Sequence, residues 1–109
     1  MTTLNQREHA METEFAHQEE LKFKARERAA KDLAVWAARQ LGKTGEALEV
    51  YARDIVAADV ANSTTEATID RIAEDLAPKG VGKNEVRRMI DRFAVAAAAA
   101  VRSPLQRSR

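Results

Sequence analysis

Glycine and proline together make up only six of the 109 residues, and they stand in three places: Gly42 and Gly45, then Pro78, Gly80 and Gly82, and finally Pro104. An interior glycine costs a helix about 1 kcal/mol and an interior proline about 3. A chain otherwise dominated by Ala, Glu, Arg, Leu and Lys is therefore helical, and its helices break where those six residues lie. With 45% apolar residues the length suits one compact domain better than two.

Between the breaks the apolar residues recur at three and four residue steps. The first such pattern begins before Leu21 and runs through Ala25, Ala29, Leu33, Trp36 and Ala37 to Leu41, where Gly42 suits a left-handed cap. Beyond Gly45 a second pattern joins Leu48, Tyr51, Ala52, Ile55, Val56 and Ala58, and Asn62 and Ser63 close it. Ser63-Thr64-Thr65-Glu66 reads as a capping box that opens a third helix, with Ile69, Ile72, Ala73 and Leu76 as its core face and Pro78 and Gly80 as its stop. Asn84 reads as the N-cap of a fourth helix facing inward with Val86, Met89, Ile90, Phe93, Ala97 and Val101. The spacing predicts an all-α fold, a small antiparallel four-helix bundle over residues 19–103, with Trp36, Tyr51 and Phe93 as the large pieces of an alanine-rich core. Residues 104–109, polar, basic and without period, read as a disordered tail.

Residues 1–18 have a different character. Leu4, Met11 and Phe15 fall at steps of seven and four, so a helix would carry them on one narrow stripe with polar residues on both flanks. Three anchors do not fold a segment alone: ordering a residue costs about 1 to 2 kcal/mol, and burying one large apolar side chain returns roughly 1.5 to 3. The segment reads as a mobile arm, helical or disordered, that gains its structure against a partner surface. Gln18, Lys22 and Arg26 separate this stripe from that of the first bundle helix, and the two stripes read as displaced from one another and as serving different partners. Lys24, Arg26, Glu27, Arg28 and Lys31 read as a solvated face carrying ion pairs along the helix.

Charge and composition narrow the function classes. A formal net charge of +1 with interspersed signs gives no field that would draw the chain to nucleic acid or an anionic membrane. The absence of cysteine removes disulfides and thiol chemistry. The apolar run Ala94 to Val101, even with Phe93 before it, is far short of the roughly 20 residues that cross a bilayer, and the first residues lack the pattern of a secretory signal, so a cytoplasmic location is expected. Many carboxylates are present without a nucleophile, metal cluster or glycine-rich loop, which argues against an enzyme. Gly42-Lys43-Thr44 has Ala37 where a phosphate loop needs glycine and closes a helix instead of opening one, so it reads as a cap. His9 and His17, eight residues apart, read as exposed side chains that gain charge as the medium acidifies, not as metal ligands.

The runs Arg7-Glu8-His9-Ala10, Phe15-Ala16-His17, Glu20-Leu21, Phe23-Lys24-Ala25, Trp36-Ala37-Ala38 and Leu41-Gly42-Lys43-Thr44-Gly45, with Tyr51-Ala52-Arg53-Asp54-Ile55-Val56 and Gly80-Val81, together resemble the zeta subunits that inhibit the bacterial F-type ATP synthase. The resemblance implies a noncatalytic regulatory protein, monomeric when free, whose N-terminal arm becomes helical as it enters an interface of the catalytic head and blocks hydrolysis. It implies the alpha, beta and gamma subunits as partners and the inner face of the plasma membrane as the place of action. Carried onto this chain, Leu4, Met11 and Phe15 are the apolar anchors and Arg7, Glu8 and Glu12 the polar contacts. No cofactor is expected beyond weak ADP or ATP binding, and the alternative readings are a weak adenine-nucleotide-binding sensor or a structural module of another complex.

Overall fold

A computed structural model describes the backbone of residues 2–62 and 64–102 and the side chains of residues 16–62 and 64–101. Among the described residues there are four α-helices and no strand: α1 (Thr2–Gln40), α2 (Gly45–Ala61), α3 (Glu66–Leu76) and α4 (Lys83–Arg102), with a 3-10 turn at Ala77–Lys79 after α3. The all-α bundle expected from the sequence is the fold. At 1.5 Å per residue the 39 residues of α1 extend about 58 Å, and this helix is the spine. Most of the packing joins α1 to α2 and to α4, while α3 lies mainly against α4 and more lightly on α1 and α2.

The breaks fall where glycine allows them. Gly42 adopts φ 78°, the Gly42 amide donates to the Arg39 carbonyl at 3.0 Å, and the Lys43 amide donates to the Ala38 carbonyl at 2.9 Å. This Schellman pair satisfies the last carbonyls of α1. The same geometry recurs at Gly80, φ 79°, whose amide donates to Ala77 while the Val81 amide reaches the Leu76 carbonyl. Val81 packs against the core as it does so.

Every helix sends side chains to one centre. Leu33, Ile55, Ile72, Leu76 and Val86 are fully buried, and Ala29, Ala34, Ala37, Ala52 and Ala97 fill the space between them. The small alanines of α1 let its neighbours approach closely. Each large aliphatic residue contributes roughly 1.5 to 3 kcal/mol by leaving water.

Several local expectations are corrected. Trp36, Tyr51 and Phe93 are only partly buried and pack against the core without filling it. Their amphipathic or bulky rings are accommodated at the rim, because alanine-lined helix contacts leave no room for them inside. The capping box does not form around Glu66: α3 begins at Glu66 with Thr65 as its N-cap and no side-chain cap bond, and the Glu66 carboxylate is taken by Arg87 and Lys83. Ser63, the other half of that box, lies outside the described residues. Asn84 falls inside α4, which starts at Lys83, and the Gly82 carbonyl receives the first amides, from Glu85 and Val86.

Arg26 is no member of a solvated face: its guanidinium turns inward onto α2. The tail at residues 104–109 lies outside the described residues.

Candidate protein-binding site at the end of the bundle

The side chains of the six residues assigned to the arm, Leu4, Arg7, Glu8, Met11, Glu12 and Phe15, lie outside the described residues, as does that of His9. Their backbone is part of α1. The description of side chains begins at Ala16, and from Ala16 to Glu20 every residue, His17 included, is exposed. Leu21 is the first that is partly covered.

At this point α1 meets the end of α4. Gln18, Leu21, Lys22 and Ala25 of α1 and Ala98 and Val101 of α4 line an open cleft of about 390 Å³. Lys22 pairs with Glu19 at 3.3 Å and Lys24 with Glu20 at 3.2 Å, so these charges run along the helix and bind no neighbouring element. Exposed i,i+3 and i,i+4 pairs of this kind add only a few tenths of a kcal/mol. Phe23 is 52% exposed beside them.

One turn further in, α1 is tied down. Arg26 donates from Nε to Asp59 Oδ2 at 3.2 Å and from Nη2 to the backbone carbonyls of Asp59 and Asn62, both at 2.9 Å. Asp59 is fully buried, and its other carboxylate oxygen accepts the Thr68 hydroxyl at 2.5 Å. Arg26 thus neutralises a buried acid and also satisfies the orphan carbonyls that end α2. Sequence reasoning missed this cluster because it assigned polar residues to solvent. The signal was present: Asp59 follows Ala52 and Ile55 at steps of three and four, squarely on the buried face of α2.

Elsewhere the polar groups have structural work. Tyr51 donates its hydroxyl to Asp75 at 2.8 Å, and burial first, then that carboxylate, pushes the phenol well above its usual range. Lys43, at the end of the Gly42 cap, lies 5.9 Å from the centre of the Tyr51 ring, a cation–π contact. Lys83 and Arg87 hold the Glu66 carboxyl down to about 2, chiefly through their hydrogen bonds to it. A broad groove of about 950 Å³ runs between α1 and α2, floored by Val35, Leu48, Ala52 and Val56 and rimmed by charges. Among the described residues no group of three His, Asp or Glu is arranged to hold a metal, and no helix is long and apolar enough to cross a membrane.

Comparison with curated proteins and with solved structures gave no match. A family model does match, over residues 1–100, which is nearly the whole chain. The chain belongs to the ATPase inhibitor subunit zeta family.

Proposed function

We propose that the protein restrains ATP hydrolysis by inserting the N-terminal part of α1 between subunits of the F-type ATP synthase head. In this reading residues 1–18 are the inhibitory arm, residues 19–103 the folded carrier and residues 104–109 a tail. Leu4, Met11 and Phe15 enter the interface as apolar anchors, and Arg7, Glu8 and Glu12 make the polar contacts around them. The partners are the alpha, beta and gamma subunits, and the complex works at the inner face of the plasma membrane. The protein contributes no catalytic group of its own. A helix laid into a closing interface acts by opposing a conformational step, and a short apolar stripe is the usual form of such a ligand.

The observation that carries this reading is the family membership combined with the exposure of α1 just ahead of its buried half. Residues 16–20 are exposed without exception, and among the described side chains cover begins at Leu21. ATP hydrolysis by the cognate ATP synthase, measured with the full chain and with a chain lacking residues 1–18, tests it. Inhibition should require the arm, and equal inhibition by both chains rejects the assignment.

A further inference from the structure

We propose that Arg26 is a positioning residue that aims the arm, acting through the buried cluster it forms with Asp59, Thr68 and the carbonyl of Asn62. The inference rests on the arm being the inhibitory element, and it adds a device that fixes the arm's direction.

The cluster makes little sense as a source of stability alone. Asp59 lies in the last turn of α2, two residues before its end at Ala61, and its carboxylate is fully buried. Well-packed apolar residues commonly serve a core at least as well as a buried ion pair. What such a pair supplies is a unique geometry. Arg26 offers a planar fork, and the fork is filled from three directions at once: the Asp59 carboxylate at 3.2 Å, the Asp59 carbonyl at 2.9 Å and the Asn62 carbonyl at 2.9 Å. Thr68 locks the second carboxylate oxygen from the side of α3. A slip of α1 along its axis, or a roll about it, breaks the three Arg26 bonds together.

The place of the cluster along α1 gives this geometry its consequence. Among the described residues Arg26 makes the hydrogen bonds between α1 and another element that lie nearest to the arm, the bonds of Lys22 and Lys24 being internal to α1. On the other side Leu21 and Ala25 face Ala98 and Val101 of α4 across an open cleft. From Arg26 to Leu4 a continuous helix is about 33 Å long. A rod of that length turns a tilt of about 10° at its pivot into a displacement of about 6 Å at its tip, more than a side-chain anchor tolerates when it must meet a preformed pocket. The Arg26 fork is therefore the pivot's lock, and the anchors are the points it aims.

Arg26→Lys is the informative variant. Lysine keeps a charge for Asp59 but cannot reach the carboxylate and the two carbonyls together. Ile72→Val, a one-methylene change in the buried face of α3 remote from the arm, serves as a control for stability, and both are assayed well below their melting temperatures. Arg26→Lys should weaken inhibition of the cognate ATP synthase by about tenfold or more, a loss of about 1.4 kcal/mol in binding, whereas Ile72→Val inhibits like the wild type. The natural absence of cysteine allows spin labels at Thr3→Cys and Lys79→Cys in the full chain. The distance distribution between them should broaden in Arg26→Lys and stay unchanged in Ile72→Val. Equal distributions in all three chains, or equal inhibition by Arg26→Lys and wild type, overturn the proposal. Failure of the wild type itself to inhibit instead rejects the function of the arm, and the distance measurement still judges the aim.

Discussion

The two halves of α1 share one helix and have opposite surroundings. In the C-terminal half Ala29, Ala30, Leu33, Ala34, Ala37 and Ala38 are all buried, and the helix ends in a glycine cap that satisfies its carbonyls. Toward the N-terminus the residues from Ala16 to Glu20 are exposed, and the ion pairs there run along the helix. Backbone geometry is the same in both, so the difference is one of partners: the buried half finds its apolar complement in α2 and α4, and residues 16–20 stay in solvent. Helical periodicity establishes what a segment can do, and the supply of neighbouring surface decides where it does it.

That contrast breaks most visibly if a change in the buried half behaves like a change in the exposed one. Leu33→Ala removes a fully buried side chain and should cost roughly 2 to 5 kcal/mol, read as a large fall in the melting temperature. For a bundle with only a few kcal/mol in hand this is close to unfolding. A melting temperature near that of the wild type would mean that α1 does not hold the core together.

At the boundary between the halves, Arg26→Ala leaves the Asp59 carboxylate buried with Thr68 as its remaining side-chain partner. Breaking a fully buried pair costs about 3 to 5 kcal/mol, and because the Arg26 side chain keeps 35% of its surface in water the expected loss is roughly 2 to 3, measured by chemical denaturation. In the arm the sign of the comparison reverses. Phe15→Ala should lower inhibitory potency by about tenfold, as loss of one anchor does in a short interface, while the melting temperature stays within the change of about 0.5 kcal/mol typical of surface positions. A marked loss of stability instead would place Phe15 in the fold.

The smallest effect sharpens the comparison at the start of α3, where the carboxyl of Glu66 links that helix to Lys83 and Arg87 of α4. Its folded-state value is lowered from 4.5 to about 2, mainly by hydrogen bonds from Arg87 and then Lys83. A lowered acid stabilises the fold above its unfolded value and stops doing so as pH falls through its folded value. The stability difference between wild type and Glu66→Gln should therefore be full at neutral pH and fade between about 4.5 and about 2. A difference that persists unchanged below that window would show that the link is not ionic.

Much of this architecture was legible from residue order. Gly42 and Gly80 mark left-handed caps because no other residue takes positive φ so cheaply, and the inward faces of α2, α3 and α4 follow from apolar spacing alone. The apolar pattern also led astray where chemistry and periodicity disagree. Arg26 was assigned to a solvated face by its charge, and Asp59, on the buried face of α2, went unnoticed as its partner. The caps at Glu66 and Asn84 failed for a related reason: a side chain able to cap a helix can be claimed by a tertiary partner, and Glu66 was claimed by α4. Trp36, Tyr51 and Phe93 were expected inside on size, whereas the close approach permitted by alanine pushed them to the rim.

The central claim is that the two halves of α1 divide the labour, one building the carrier and the other acting on the ATP synthase. Its most direct test is the rate of ATP hydrolysis by the cognate enzyme in the presence of the chain lacking residues 1–18, taken together with that chain's melting curve. The account predicts a cooperative transition like that of the full chain and no inhibition. Undiminished inhibition by the shortened chain would contradict it.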